Sequence, residues 1–273
     1  MKTFTNYLKK NYKFILIILV VVFVVLFFYF NYVNSFTENM ENNSVPLVVY
    51  HTFHTKDLSK EVIDLIDEIK RDNPEFEYKF FDEEECRQFI INNFDKDVID
   101  AYDRLIPGAF KADLWRNCVL YVNGGIYLDI KMKPINGFKL ISMTDKEYFV
   151  RDTDKAGRGV FNGIIAVKPH NERLLKAIYM IVDNVKNNYY GENCLEPTGP
   201  NLLKKLFTEE EISNFELYLV DYQDNEDPLK IQRYINMGDK HVFDWDKKAY
   251  SSYKKKGKTY SEYWNERNIY VTD

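Results

Sequence analysis

The sequence has few of the residues from which disulfide frameworks and zinc sites are built. Its 273 residues contain three cysteines, Cys86, Cys118 and Cys194, and four histidines. The cysteines are odd in number and no two are spaced as a pair, so at most one disulfide can form. This excludes a disulfide-rich fold, a zinc motif and a redox motif, and we expect free cysteines that serve packing.

An excess of positive charge is also absent. Beyond the four lysines of residues 1–13, 33 basic side chains stand against 42 acidic ones, a net charge of about −9. This balance argues against general nucleic-acid binding through a basic face. There is no internal repeat or low-complexity tract, and the length predicts one globular domain beside any targeting segment.

Charge is missing altogether from residue 14 to residue 37. The run 14–33 is 20 residues long and almost wholly apolar, and about 20 helical residues at 1.5 Å each cross a bilayer core of about 30 Å. A signal peptide would have a shorter apolar core and a small-residue cleavage site. Lysines precede the run, while Glu38 and Glu41 follow it. The positive-inside rule therefore predicts a single-pass type II anchor with a cytosolic N-terminus.

The domain organisation follows from this anchor. We predict a cytosolic tail over 1–13, a transmembrane anchor over 14–33, a polar stalk over 34–45 and a folded domain over 46–273. The sequon Asn42-Asn43-Ser44 lies just past the membrane and is usable only if that side is the secretory lumen.

Strand and helix patterns alternate after Pro46. The apolar run 47–53 predicts a buried strand, and 57–74 has apolar residues at helical spacing. A second strand over 77–81 and a second helix over 83–94 follow. This order is typical of an α/β domain with a largely parallel sheet.

The block 107–134, "PGAFKADLWRNCVLYVNGGIYLDIKMKP", allows two interpretations. In one, residues 119–128 form a β-hairpin with an Asn-Gly turn. In the other, Ala109 to Tyr121 is a helix ended by Gly124, and Gly125 opens a strand. The α/β rhythm favours the helix, on which Asp113 and Arg116 share one flank.

The strand that follows ends on Asp129, Ile130 and Lys131. A period of two places Tyr127, Asp129 and Lys131 on one face. The carboxyl end of a strand in an open α/β sheet is where ligands bind, although a salt-bridged strand end is the alternative. Asp-x-Asp triplets occur elsewhere, at 95–97, 152–154 and 244–246, so context must decide.

The stretch "FKADLWRNCVLYVNGGIYLDIK" strongly resembles the central motif of the DXD-containing sugar transferases of glycosyltransferase family 32, and more distantly the clostridial glucosylating toxins. The family pattern reads roughly A-D-x-x-R, a hydrophobic helix and G-G-x-Y-x-D-x-D. Asp113, Arg116, Gly124–Gly125, Tyr127 and Asp129 match it. The blocks "VPLVVYHTF", "FNGIIAVKPHNERL" and "TGP" have counterparts in the same order. A later His–Trp region, His241 and Trp264, resembles the family loosely.

The resemblance implies a GT-A-type, Rossmann-like fold that transfers a sugar from a nucleotide donor with retention at the anomeric carbon. The expected donor is a UDP- or GDP-sugar and the expected acceptor a glycan, glycolipid or glycoprotein. Asp113 and Arg116 would hold donor-sugar hydroxyls, and Asp129 would contact the ribose or a divalent cation, Mn²⁺ or Mg²⁺. The nucleotide or donor pocket would involve Tyr50, His51, Thr52, Phe53, Tyr127, Asn162 and Gly163. The acceptor side would involve Asn162, Thr198, Gly199, Pro200 and Trp264.

Lys131 departs from the family pattern, because it stands where the second aspartate belongs. Its ammonium could meet the diphosphate directly and weaken the need for a metal. Alternatively, Asp129 binds the metal with His241 or Glu262 while Lys131 points outward. In a third alternative catalysis is lost and a sugar-binding relic remains.

The sequence thus predicts a membrane-anchored hexosyltransferase whose catalytic domain faces the ER or Golgi lumen, or the equivalent outer face of another membrane. The alternative is a non-catalytic carbohydrate- or nucleotide-binding module on the same fold. A metal phosphoesterase using Asp113 and Asp129 is disfavoured, since no histidine or carboxylate cluster surrounds them at ligand spacing.

Overall fold

The computed structural model describes residues 21–30, 44–153, 159–223, 231–254 and 258–271. The chain divides into two units, 1–44 and 45–273. In the first unit, residues 21–30 are helical and their apolar side chains are exposed. Within the described ranges, none of the helices has the length and apolar character needed to span a bilayer. The remainder of the predicted anchor, the tail 1–13 and most of the stalk lie outside these ranges.

The second unit is a mixed α/β domain, which confirms the predicted α/β class. Its described strands are β1 Val48–Thr52, β2 Glu77–Phe81, β3 Gly125–Leu128, β4 Met132–Pro134, β5 Tyr148–Arg151, β6 Val160–Val167, β7 Leu217–Gln223, β8 Ile231–Met237 and β9 Lys240–Trp245. Its described helices are α1 Lys60–Asp72, α2 Glu83–Asn93, α3 Lys96–Arg104, α4 Gly108–Asn123, α5 Glu172–Lys186, α6 Pro200–Lys204, α7 Glu209–Ser213, α8 Lys247–Lys254 and α9 Tyr260–Asn265.

Local sequence signals explain the first half of the unit. Strands β1 and β2 and helices α1 and α2 form where the patterns predict them. Helix α2 begins at a capping box in which Asp82 and Glu85 satisfy each other's backbone N–H groups. The helix α3, which Asp95 caps, was not predicted.

The block 107–134 adopts the helix–strand interpretation, and the hairpin alternative is wrong. Gly124 ends helix α4 with φ +63°, and its N–H bonds the carbonyl of Leu120 at 2.8 Å. Gly125 has φ +100°, and a Cβ there would lie 2.8 Å from the carbonyl oxygen of Val48. The glycine pair is therefore required for a left-handed turn and for the close approach of β3 to β1.

The nine strands form one sheet in the order β2-β1-β3-β6-β5-β7-β8-β9-β4. Only the pairs β1–β2, β1–β3 and β5–β7 are parallel, and the other five described pairs are antiparallel. The prediction of a largely parallel sheet is wrong. Two of the antiparallel pairs come from the meander β7–β8–β9. The other three arise because β6 runs opposite to its neighbours β3 and β5, and β9 runs opposite to β4.

The sheet curls so that its far edge returns to β3. Strands β3 and β4 are separated by five strands in the sheet order, yet only Asp129–Lys131 join them in the chain. The four peptide steps from Leu128 to Met132 span at most about 14 Å. The stretch that holds Asp129 and Lys131 is therefore the closing turn of the curled sheet.

Two apolar clusters pack on opposite faces of the sheet. Tyr127 belongs to the cluster formed with α4 and α5, whereas Ile126, Leu128 and Ile130 belong to the other cluster. The alternation predicted for this strand is confirmed. Helix α4 is buried almost all round, so its polar residues need partners inside the protein.

Candidate active site

Asp113 is the centre of a buried polar network on helix α4. Its Oδ1 accepts from Asn162 Nδ2 at 2.8 Å, and its Oδ2 accepts from Thr198 Oγ1 at 2.7 Å. Arg116, one turn along the helix, places Nη2 3.0 Å from Asp113 Oδ1. Three segments far apart in sequence thus meet on one carboxylate.

Arg116 is fixed from several sides. Its Nη1 donates to the carbonyl of Asn162 at 2.5 Å and its Nε to that of Ala112 at 3.2 Å. The guanidinium lies 4.4 Å from the ring centre of Tyr127, a cation–π contact. The side chain is 7% exposed, so this charge is held with little freedom at the edge of the site.

Burial and partners act in opposite directions on Asp113. Burial raises the pKa of its carboxyl above the usual value, although Arg116, Thr198 and Asn162 favour the charged form. In Asp129, burial also opposes ionisation, but the positive charges of Lys131 and Arg116 outweigh it and lower the pKa. Two carboxylates in one site are therefore held in different electrostatic environments.

Asp129 and Lys131 form an ion pair at the closing turn of the sheet. Strand β3 ends at Leu128, earlier than predicted, because Met132 N bonds the carbonyl of Asp129 at 2.8 Å and turns the chain. Lys131 Nζ lies 3.2 Å from Asp129 Oδ2, and the two side chains are 22% and 24% exposed. Lys131 does not point outward, contrary to one of the alternatives left open by the sequence.

Two adjoining hollows meet at this ion pair. The first hollow is lined by the end of β1 and the start of α4, including Thr52, Phe53 and Tyr127. The second hollow includes Asp113, Asn162 and Pro200. Ala109, Arg116, Asp129 and Lys131 line both. These four residues therefore form the wall between the two hollows.

The predicted nucleotide residues divide into two groups. Thr52 and Phe53 line the first hollow. Tyr50 and His51 are fully buried, at 1% and 2% exposure, and do not line either hollow. Since β1 is an interior strand, its residues at and beyond the carboxyl end reach the surface of the cleft, whereas Tyr50 and His51 lie beneath that surface.

His51 instead supports the closing turn at Asp129–Lys131 through a hydrogen bond at the end of β3. Its Nδ1 lies 2.7 Å from the carbonyl oxygen of Leu128, so Nδ1 is the donor. Burial lowers the pKa of His51 to about 4. The neutral ring ties the end of β1 to the end of β3.

The predicted acceptor residues also divide. Thr198, Gly199 and Pro200 lie beside Asp113, and Gly199 and Pro200 line the second hollow. Trp264 does not line it: its Nε1 donates to the carbonyl of Tyr190 at 2.6 Å. On the same short helix, Tyr260 is the residue that reaches the hollow.

His241 is not brought together with Asp129. Its Nδ1 lies 2.7 Å from Asn236 Oδ1, and its ring stacks on Tyr234. Pairing of β4 with β9 sets Trp245, four residues further on, opposite Met132. At about 3.3 Å per residue, His241 lies roughly 13 Å along the strand from that point.

Several residues that line the second hollow were not predicted as site residues. They include Asp152, Phe161, Arg233, Trp245 and Tyr260. Asp152 accepts from Thr153 N at 2.7 Å; Asp154, the other aspartate of this triplet, lies outside the described residues. Arg233 lies on β8 and Trp245 on β9, so the β7–β8–β9 meander brings them to the hollow. No local sequence motif predicts that they belong to the site.

The side chains at Asp129 do not fit a divalent-metal site. Mg²⁺ and Mn²⁺ are bound through oxygen ligands, with carboxylates as the charged ones. Asp129 supplies one carboxylate, and an ammonium stands at the place of the second. Across the described ranges, no group of three or more His, Cys, Asp or Glu residues is placed to hold a metal.

Residues 59–150 match the family model described as "Glycosyltransferase sugar-binding region containing DXD motif". This range contains Asp113, Arg116, Asp129 and Lys131. The chain is also 28% identical over 137 residues to "Uncharacterized glycosyltransferase L373" of Acanthamoeba polyphaga mimivirus, a match covering 49% of this chain and 52% of the relative. The chain thus spans about half the length of the curated relative that it matches.

One solved structure, "PaToxG Glycosyltransferase", aligns with a TM-score of 0.48 and 16% identity. The alignment covers 67% of this chain and 79% of that chain.

Proposed function

We propose that this chain moves a hexose from a nucleotide-diphosphate sugar to a glycan, glycolipid or glycoprotein acceptor. Through residues 59–150 it matches the glycosyltransferases with a DXD-type sugar-binding region. The observation that carries the proposal is the network on Asp113. Asn162, Thr198 and Arg116 all converge on one buried carboxylate at the wall of a cleft.

The two hollows match the two ends of such a donor. A nucleotide sugar has a nucleoside at one end, a sugar at the other and a diphosphate between them. The hollow beside Thr52 and Phe53 suits the nucleoside, and the hollow beside Asp113 suits the sugar. The shared wall, with Arg116, Asp129 and Lys131, then faces the diphosphate.

The reaction needs charge in these places. The bond from the anomeric carbon to the diphosphate oxygen breaks with its electron pair left on the diphosphate. The acceptor oxygen bonds to that carbon, and its proton passes to the departing diphosphate. Positive charge develops on the sugar ring, where the carboxylate of Asp113 stabilises it, and negative charge develops on the leaving group.

Hydrolysis and transfer assays test the proposal. The full chain in detergent is given a panel of UDP- and GDP-sugars, with Mn²⁺ and with chelator, and then candidate acceptors. Release of one sugar from one donor is expected, with Asp113→Asn as the matched inactive variant. Equal release by wild type and Asp113→Asn would contradict the role assigned to this carboxylate.

A non-catalytic nucleotide- or sugar-binding module is the second candidate function. The observation that favours it is the lysine at position 131, which departs from the DXD pattern. It predicts binding of UDP or GDP without turnover against any donor and acceptor. Binding by calorimetry, measured alongside the assays, separates the two functions.

We further propose that residues 14–33 anchor the chain in a membrane as a type II protein. The support is the 20-residue apolar run with lysines before it and acidic residues after it. Resistance to carbonate extraction and protease protection of residues 45–273 in sealed vesicles are expected. Release by carbonate, or digestion of this domain from the cytosolic side, would contradict it.

A further inference from the structure

We infer that the diphosphate at this site is met by a fixed side-chain cation, the ammonium of Lys131, so that nucleotide binding does not require a divalent metal. The inference deepens the proposed function and rests on it. It concerns the one position at which this chain departs from the DXD pattern.

The position of Lys131 is the first argument. Its side chain lines both hollows, as do those of Asp129 and Arg116. A group on the wall between a nucleoside hollow and a sugar hollow lies where the linking diphosphate must pass. An ammonium is a compact charge with three donors, and phosphate oxygens are its natural partners.

The ion pair with Asp129 is the second argument. Lys131 Nζ lies 3.2 Å from Asp129 Oδ2, so the one carboxylate of the motif already has a cation beside it. A divalent ion bound to this carboxylate would have to displace the ammonium or accept its repulsion. Asp129 therefore acts as a positioning residue that holds Lys131 in the cleft.

The side chains that the sequence suggests as further metal ligands, His241 and Glu262, have other partners, and so does the nearby Asp246. His241 is bonded to Asn236 on the antiparallel pair β8–β9. Glu262 closes a capping box at the start of α9, where its Oε2 accepts from Thr259 N at 2.6 Å. Asp246 accepts from Lys133 Nζ at 3.1 Å and also caps α8 through Lys248 N and Ala249 N.

The role assigned to Lys131 is electrostatic throughout. The ammonium keeps its proton while the glycosyl–phosphate bond breaks, and the electron pair of that bond stays on the diphosphate. A preorganised positive charge in a partly closed cleft stabilises the leaving group without reorganisation during the step.

Calorimetric titration with UDP and GDP tests the inference, using the full chain in detergent with EDTA and with MnCl₂. Wild type is expected to bind one of the two in EDTA with an affinity within threefold of that in Mn²⁺. Lys131→Met should weaken binding in EDTA at least tenfold, while Lys131→Arg should keep it. Lys133→Met is the matched control, since Lys133 is paired with Asp246 outside both hollows, and should stay within twofold of wild type.

Lys131→Asp restores the second carboxylate and should bind the nucleotide only with Mn²⁺. The same samples titrated with Mn²⁺ should show immobilised metal by electron paramagnetic resonance in this variant and not in wild type. Wild-type binding that is lost in EDTA would overturn the inference and leave the proposed function standing. If circular dichroism shows that Lys131→Met does not fold, the inference is still tested by two measurements. These are the wild-type affinity in EDTA compared with that in Mn²⁺, and the affinity of Lys131→Arg in EDTA. Absence of UDP and GDP binding under every condition would overturn the proposed function and this inference with it.

Discussion

The hydroxyl of Thr198 donates a hydrogen bond of 2.7 Å to Asp113 Oδ2, although 85 residues separate the two in the chain. The bond joins helix α4 to the "TGP" segment, and Thr198 itself is fully buried. It fixes one oxygen of the carboxylate, and Asn162 fixes the other.

Thr198→Val is expected to reduce turnover about tenfold or more. The variant keeps the shape of the side chain and removes a hydrogen bond to a charged group, worth about 1.5–3 kcal/mol. Thr198→Ser retains the hydroxyl and is the matched control. Steady-state assays on the preferred donor give the comparison; a valine variant as active as the serine variant would separate this bond from catalysis.

Arg116→Lys is expected to lose donor-sugar binding nearly as fully as Arg116→Ala. The guanidinium contacts Asp113, the carbonyl of Asn162 and the ring of Tyr127 at once, and a lysine cannot reproduce that planar fork. The test compares two quantities in each variant: the KM for the sugar donor and the affinity for the nucleotide alone. If both variants only lower the melting temperature and leave KM unchanged, Arg116 is structural.

Asp129→Asn is expected to lower transfer roughly a hundredfold while the fold stays intact. The amide removes the charge that holds Lys131 at 3.2 Å. Single-turnover rates together with thermal unfolding provide the test. Undiminished transfer would remove Asp129 from the mechanism.

His51 makes stability depend on pH in a defined window. Its pKa is about 4 in the folded protein because of burial, against about 6.5 in an unfolded chain. The unfolded state therefore binds a proton first, and stability is lost as pH falls from about 6.5 towards 4, by on the order of 3 kcal/mol.

Denaturant unfolding across that pH range measures this loss. His51→Gln should be less stable at neutral pH and should flatten the slope between pH 6.5 and 4. His54→Gln, three residues along and exposed, is the control and should keep the wild-type slope. An equal slope in His51→Gln and wild type would contradict the assignment.

Trp264→Phe is expected to lower stability by about 1 kcal/mol and to leave the acceptor KM unchanged. The substitution removes the hydrogen bond from the indole to the carbonyl of Tyr190. Tyr260→Ala, on the same helix, should instead raise the acceptor KM, because Tyr260 lines the second hollow, where the acceptor must approach the donor sugar. The reverse pattern would restore the acceptor role predicted for Trp264 from the sequence.

Local sequence patterns predicted the structure correctly where it depends on residues that are close together in the chain. Helix α4, its end at Gly124 and the flank shared by Asp113 and Arg116 follow from spacing and from the glycine pair. Resemblance to the sugar transferases added Asn162 and Thr198, which no spacing argument connects to Asp113. The structure brings both onto that carboxylate.

The sequence by itself determined β1, α1, β2 and α2, the helix α4 and the residues around the central motif, because these depend on helical and strand periods and on backbone freedom at glycine. Only the tertiary structure decided how the sheet closes. The meander β7–β8–β9 returns β9 to β4, sets Trp245 opposite Met132 and keeps His241 away from Asp129. That outcome depends on pairings between distant strands, which no short window of sequence encodes, and it leaves Lys131 as the cation beside Asp129.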